Sequence, residues 1–162
     1  MRDKRSVLGL LAAFAVALAA LFVAGPAQAA APAAHGKAGH VLTAPAAPKD
    51  ARAMSALAVS PGISPSTSTT HVAPGATYTC NVGNFCAGVW DPTTSNWKVF
   101  FLYNCARYSL SNWNGTGFYW DNQTGNPTTY FYNQGGGVIA TVTPGAGQVS
   151  YDWTPVWSIR NC

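Results

Sequence analysis

The sequence predicts an all-β fold, a small disulfide-braced sandwich or barrel formed by residues 76–162. Three observations predict it. Aromatic and β-branched runs alternate with turn residues at roughly the eight-to-twelve-residue spacing of such folds. No stretch carries apolar residues at i, i+3, i+4 and i+7, so amphipathic helix has no support there. All four cysteines fall in these 87 residues. A domain of that size buries only somewhat over about 60% of its unfolded surface, and exported chains make up the shortfall with disulfides.

Taken in order, the runs place strands near Asn84–Trp90, Trp97–Tyr103, Tyr108–Leu110, Gly117–Asp121, Thr128–Asn133, Val138–Thr143, Gln148–Trp153 and Val156–Arg160. Asp91-Pro92, Asn126-Pro127 and Thr143-Pro144-Gly145 punctuate them as turns. Between the fifth and sixth runs lies Asn133-Gln134-Gly135-Gly136-Gly137, whose glycines tolerate positive φ and suit a hairpin loop. Four cysteines allow three pairings. The favoured one is Cys80–Cys86, closing the short CNVGNFC loop, with Cys105–Cys162 tying the end of the chain to its middle. Closing the longer loop is worth roughly 4 kcal/mol by the chain-entropy argument, and the shorter one less.

Two further segments precede the domain. In residues 1–29 a basic start (MRDKRS) leads into an apolar run from Val7 to Gly25, then Pro26 and Ala27-Gln28-Ala29. That is the pattern of a secretory signal peptide with an A-x-A cleavage site. A retained membrane anchor is the alternative, disfavoured because alanine dominates the run. Residues 30–75 are 32 parts in 46 Ala, Pro, Gly, Ser or Thr, with no Phe, Trp or Tyr. Such a segment is expected to be a disordered linker or propeptide, unable to offset its ordering entropy by burial. Residues 50–59 (DARAMSALAV) could form a transient helix within it.

Charge and side-chain chemistry exclude several functions. The net +4 comes from the first 75 residues, since three Lys or Arg (Lys98, Arg107, Arg160) balance three Asp (Asp91, Asp121, Asp152) after them. No nucleic-acid partner is expected without a basic cluster, and no membrane partner once the signal is removed. His35, His40 and His71 all precede residue 76 and the chain has no Glu. A Ser–His–Asp site within the domain is therefore excluded, as is a histidine-based zinc site. A four-cysteine zinc site is formally possible but loses to disulfides in an oxidising compartment. A glycosidase pair would have to come from Asp91, Asp121 and Asp152, which read equally well as turn and cap residues. No phosphate loop appears, because Gly115–Gly117 and Gly135–Gly137 lack the following lysine and helix. No enzyme activity and no cofactor are expected.

Six tryptophans remain: Trp90, Trp97, Trp113, Trp120, Trp153 and Trp157. Most should be core, where small β domains use them. Trp113, in the polar stretch Ser111-Asn112-Trp113-Asn114-Gly115, is the candidate to face solvent and stack on a sugar ring. Asn114-Gly115-Thr116 and Asn122-Gln123-Thr124 match the N-glycosylation sequon, a weak signal.

The early CNVGNFCAGVW, the central FFLYNCARYSLSNWNGTGFYWDNQTG and the closing VWSIRNC resemble secreted actinobacterial peptidase inhibitors related to the streptomycete metalloproteinase inhibitor. The resemblance covers about residues 78–162. It implies a βγ-crystallin-like Greek-key fold and a stoichiometric, non-catalytic inhibitor of an extracellular protease. Crystallin-type calcium loops need an Asn/Asp pair and two hydroxyl residues at fixed spacing. Trp153–Ser158 lacks the pair, and Asp121–Asn126 puts Gly125 and Asn126 where the hydroxyls belong, so no metal is expected. The loops at Asp91–Asn96 and Gly135–Gly137 are the first candidates for protease contact. The alternative is a carbohydrate-binding module that recognises cell-wall or plant polysaccharide through exposed aromatics. A third reading, an exported structural or antimicrobial protein, is disfavoured in its membrane-disrupting form by the neutral domain.

Overall fold

A computed structural model describes residues 39–52 and 58–162. The signal-peptide reading of residues 1–29 lies outside them, as does half of the possible helix at 50–59 (residues 53–57). The described residues form twelve strands and no helix. They are β1 (His40–Thr43), β2 (Gly62–Ser64), β3 (Ser68–Val72), β4 (Thr77–Cys80), β5 (Phe85–Asp91), β6 (Asn96–Leu102), β7 (Arg107–Ser111), β8 (Thr116–Asp121), β9 (Thr129–Tyr132), β10 (Val138–Val142), β11 (Val149–Asp152) and β12 (Ser158–Arg160). The eight runs read from the sequence are β5–β12, with most ends shifted by a residue or two.

The strands form two antiparallel five-stranded sheets, in the orders β11-β8-β5-β6-β3 and β10-β9-β12-β7-β2, and a separate β1–β4 pair. Two sets of four strands follow one plan. In β5–β8 the first strand lies between the second and fourth while the third, β7, crosses to the other sheet. In β9–β12 the first again lies between the second and fourth, and the third, β11, crosses back. The two sheets are thereby stitched together twice.

Period-2 alternation places the core between the sheets. Phe85, Ala87, Val89, Phe100, Leu102 and Tyr119 of the first sheet meet Tyr108, Phe131, Val142 and Ile159 of the second, with Trp113 and Trp153 between them. Trp153 and Phe118 each require a glycine beside them. The Trp153 indole N–H donates to the Gly88 carbonyl at 2.9 Å, and a Cβ on Gly117 would stand 2.4 Å from that indole nitrogen. A Cβ on Gly88 would likewise meet the Phe118 ring at 2.1 Å.

A second core lies on the opposite face of the first sheet, where Cys80, Cys86, Trp90, Trp97, Val99 and Phe118 pack with Ala44, Val72 and Tyr78. β5 is consequently buried at every position. This layer corrects the expectation of a disordered linker through residue 75. β3 pairs with β6 over five positions, β2 pairs with β7, and β1 pairs with β4. These strands belong to the same compact unit as the rest, so the structured region begins well before residue 76. A segment of this composition cannot build a core of its own. It instead completes edges of existing sheets, where backbone hydrogen bonds and small side chains suffice, and lays Ala44 and Val72 over aromatics supplied by others.

Both disulfides follow the favoured pairing, Cys80–Cys86 and Cys105–Cys162. The two bridges and the absence, among the described residues, of any helix long and apolar enough to cross a membrane are compatible with an extracellular protein.

Candidate functional sites

Three surfaces carry side-chain chemistry. The first is the β5–β6 hairpin, whose ends face each other at Asp91 and Asn96. Asp91 is fully buried. One carboxylate oxygen accepts from Ser60 Oγ at 2.7 Å and from His71 Nε2 at 2.9 Å. The other accepts from the Thr93 amide at 3.0 Å and the Thr93 hydroxyl at 2.6 Å. Burial alone would raise this carboxyl's pKa. The donors from Thr93, Ser60 and His71 outweigh it and hold the group at about 2. Lys98 Nζ donates to Ser60 Oγ at 3.1 Å and to the Pro61 carbonyl at 2.8 Å, closing the cluster. The turn residues Thr93, Thr94 and Ser95 remain exposed.

This cluster amends the exclusion of a Ser–His–Asp set, which had placed His71 outside the domain. Ser60, His71 and Asp91 do meet, but in an order unlike that of an activated serine. There the histidine stands between the other two; here Ser60 and His71 both address the same Asp91 oxygen. The carboxylate acts as a clamp joining the segment before β2 and strand β3 to the hairpin.

The second surface is the outer face of the β10-β9-β12-β7-β2 sheet, which no part of the described chain covers. Cross-strand register puts Arg107, Arg160 and Tyr130 in one row. Ser109, Ser158, Tyr132 and Val138 form the next. Both arginines are exposed and both tyrosines partly so. The Arg107 guanidinium lies 3.9 Å from the centre of the Tyr132 ring, and its Nε donates to Ser158 Oγ at 3.0 Å. Tyr130 and Tyr132 stand 6.3 Å apart, centre to centre.

The third surface is a cleft of about 350 Å³ at the end of the sandwich, lined by Ser111, Asn112, Asn114, Thr154 and Trp157. The candidate Trp113 belongs to this stretch, but its indole turns inward. It is 3% exposed, packs at a tilt against Phe100 and edge-on against Trp153, and donates from Nε1 to the Gly62 carbonyl at 2.8 Å. Trp113 is thus a core residue that forms part of the cleft's wall from beneath, while its polar neighbours carry the exposed surface. The exposed indole there is Trp157, at 50%. Sequence context misled because polar flanking residues describe the loop's surface and not the direction of one side chain within it. A further open groove of about 760 Å³ beside Cys105–Cys162 carries Tyr103, which is 68% exposed.

The other carboxylates are dispersed. Asp121 is buried and accepts from the Gln123 amide and the Thr129 hydroxyl. Burial raises its pKa, and those bonds offset this in part, leaving it at about 6. Asp152 receives the Thr154 amide in an exposed turn. Among the described residues no three His, Cys, Asp or Glu side chains gather to hold a metal ion. Comparison with protein-family models, curated proteins and solved structures returns no match.

Proposed function

We propose that the protein is an exported, non-catalytic inhibitor of an extracellular protease, built on a βγ-crystallin-like Greek-key sandwich. The doubled strand plan supports the Greek-key reading, since each set of four sends its third strand into the opposite sheet. The observation that carries the inhibitory reading is the pre-organised β5–β6 turn. Its exposed Thr93-Thr94-Ser95 segment is held by the buried Asp91 carboxylate at one end and by Asn96 Nδ2 donating to the Thr94 carbonyl at 2.8 Å near the other. A loop fixed before binding loses little entropy on docking. If it is nicked, its ends stay in a paired hairpin and cannot separate.

The test is titration of the full oxidised protein against a thermolysin-type metalloprotease, a subtilisin-type serine protease and papain. A sharp end point near one to one, weakened by Asp91→Ala, is the expected result. Proteases that remain active beside an intact protein would refute the inhibitory reading.

A second reading, polysaccharide binding, is favoured by a different observation. The bare sheet face and the end cleft present Tyr130, Tyr132 and Trp157, flat rings partly open to solvent and bordered by serines, asparagines and threonines. Such rings stack on sugars while the polar groups bond hydroxyls.

A further inference from the structure

We infer that the outer face of the β10-β9-β12-β7-β2 sheet binds an acidic polysaccharide, with Arg107 and Arg160 taking sugar carboxylates and Tyr130, on the far side of Arg160 in the same row, stacking on a neighbouring sugar ring. This rests on the polysaccharide reading of that face and is independent of the inhibitory reading of the hairpin.

The charge arrangement carries the argument. Arg107 and Arg160 are direct cross-strand partners, so two guanidinium groups project from neighbouring strands that lie about 4.8 Å apart. Like charges placed so are mutually destabilising. Among the described residues neither forms an ion pair with a carboxylate, and the three Asp after residue 75 all lie elsewhere. Asp91 and Asp121 are buried, and Asp152 is on β11 of the other sheet. A bound anion relieves that repulsion; a neutral ligand does not.

Arg107 is also held ready. Stacking on Tyr132 orients its plane, and Ser158 occupies its Nε. The outer guanidinium edge keeps N–H groups for a carboxylate, in the fork geometry that suits it. The β9–β10 loop passes beside this edge, where Gly136, at φ 80°, carries no side chain; a Cβ there would stand 3.9 Å from the Arg107 Nη2, in van der Waals contact.

The aromatic component separates this ligand from other polyanions. Tyr130 sits in register with Arg160, in the same row as Arg107, so an extended chain crossing the strands meets two cations and a ring in succession. The inter-strand step is close to the length of one sugar residue. Two arginines are too few to hold a nucleic acid, whose binding depends on neutralising many phosphates.

Binding of the full oxidised chain to polygalacturonate and to its fully methyl-esterified form tests the inference, because the two differ only in the carboxylates. The acid form should bind at low salt, weaken as salt rises, and exceed the ester by tenfold or more. Joint Arg107→Gln and Arg160→Gln substitution should reduce binding by roughly tenfold or more, and Tyr130→Ala should weaken it as well. Arg107→Lys with Arg160→Lys, which keeps charge and loses the fork, should fall between. The urea unfolding midpoint should be nearly unchanged in every variant, since both arginines are exposed and Tyr130 is only partly buried.

Equal binding of acid and ester, untouched by the arginine changes, would overturn the acidic-ligand inference and leave the polysaccharide reading standing. Binding of neither by folded protein would overturn the inference, and a further failure to bind neutral insoluble polysaccharide would sink the polysaccharide reading with it. Equal, arginine-dependent affinity for duplex DNA would reduce the face to a general anion surface and overturn the sugar assignment.

Discussion

The two outer faces of the sandwich begin from one strand plan and end differently. In the first half, β6 gains β3 along its edge, and the N-terminal segment packs Ala44 and Val72 over Trp90, Trp97 and Phe118. In the second half, β10 keeps an open edge, with Val138 and Ile139 exposed, and the face beside it carries Arg107, Arg160, Tyr130 and Tyr132. Burial patterns record the contrast, since β5 is buried at every residue while β9 alternates strictly between buried and half-buried. The same topology thus supports a covered face and a bare one. The N-terminal strands decide which is which.

The contrast sharpens under substitution. The largest effect should come from Trp97→Ala. Trp97 packs edge-on against Trp90 and Phe118, and its indole donates to the Pro45 carbonyl at 2.9 Å. The loss should approach 3–5 kcal/mol, whereas Tyr132→Ala on the bare face should remain below about 1 kcal/mol. Urea denaturation of the two variants makes the comparison, and equal losses would mean that the faces are energetically alike.

Removing Cys105–Cys162, which spans 57 residues, should cost about 4 kcal/mol, and removing Cys80–Cys86 about 2 kcal/mol. Paired serine variants in the same denaturation series check this order.

Asp91→Ala strands donors from Ser60, His71 and Thr93 and should cost roughly 2–3 kcal/mol. The loss should appear first as faster amide exchange in β3 and β6, where the covering layer is clamped. The pH dependence has a definite sign. A carboxyl held at about 2, below its ordinary value near 3.8, stabilises the fold above pH 4, and that contribution disappears as pH falls through 2. Asp91→Asn should flatten this acid limb.

Asp121 has the opposite sign. Its pKa is raised to about 6, so its contribution is most favourable below 3.8 and is lost as pH rises through 6. Asp121→Asn keeps an acceptor for the Gln123 amide and offers an N–H to Thr129. It should gain on the order of 2 kcal/mol at pH 8 and nearly nothing at pH 4, read from thermal unfolding at the two values.

Much of the β5–β12 framework was legible because its signals are local. Turn dipeptides, period-2 alternation and short aromatic runs act within ten residues, and the CNVGNFC spacing makes one disulfide almost a local event. β1–β4 were not legible. His40–Thr43 and Ser68–Val72 have neither aromatics nor a core of their own, and what makes them strands is the partner edge they find. For the candidate sites the division runs the same way. The hairpin at Asp91–Asn96 could be named from Asp-Pro and the flanking runs, but nothing local tied Asp91 to Ser60 and His71. The polar neighbours of Trp113 suggest a solvent-facing ring, whereas the fold buries it in the core. No local signal joins Arg107, Tyr130 and Arg160, because they are 23 and 30 residues apart in turn along the chain and become neighbours only through strand pairing.

The sequence by itself determined an all-β, disulfide-braced domain, because alternation and cysteine placement constrain a chain whatever its final topology. Only the tertiary structure decided which strands became partners, and so which face the N-terminal segment covered and which it left bare. Strand register is a long-range property. It placed His71 on a buried carboxylate and set two arginines side by side on a tyrosine-lined surface.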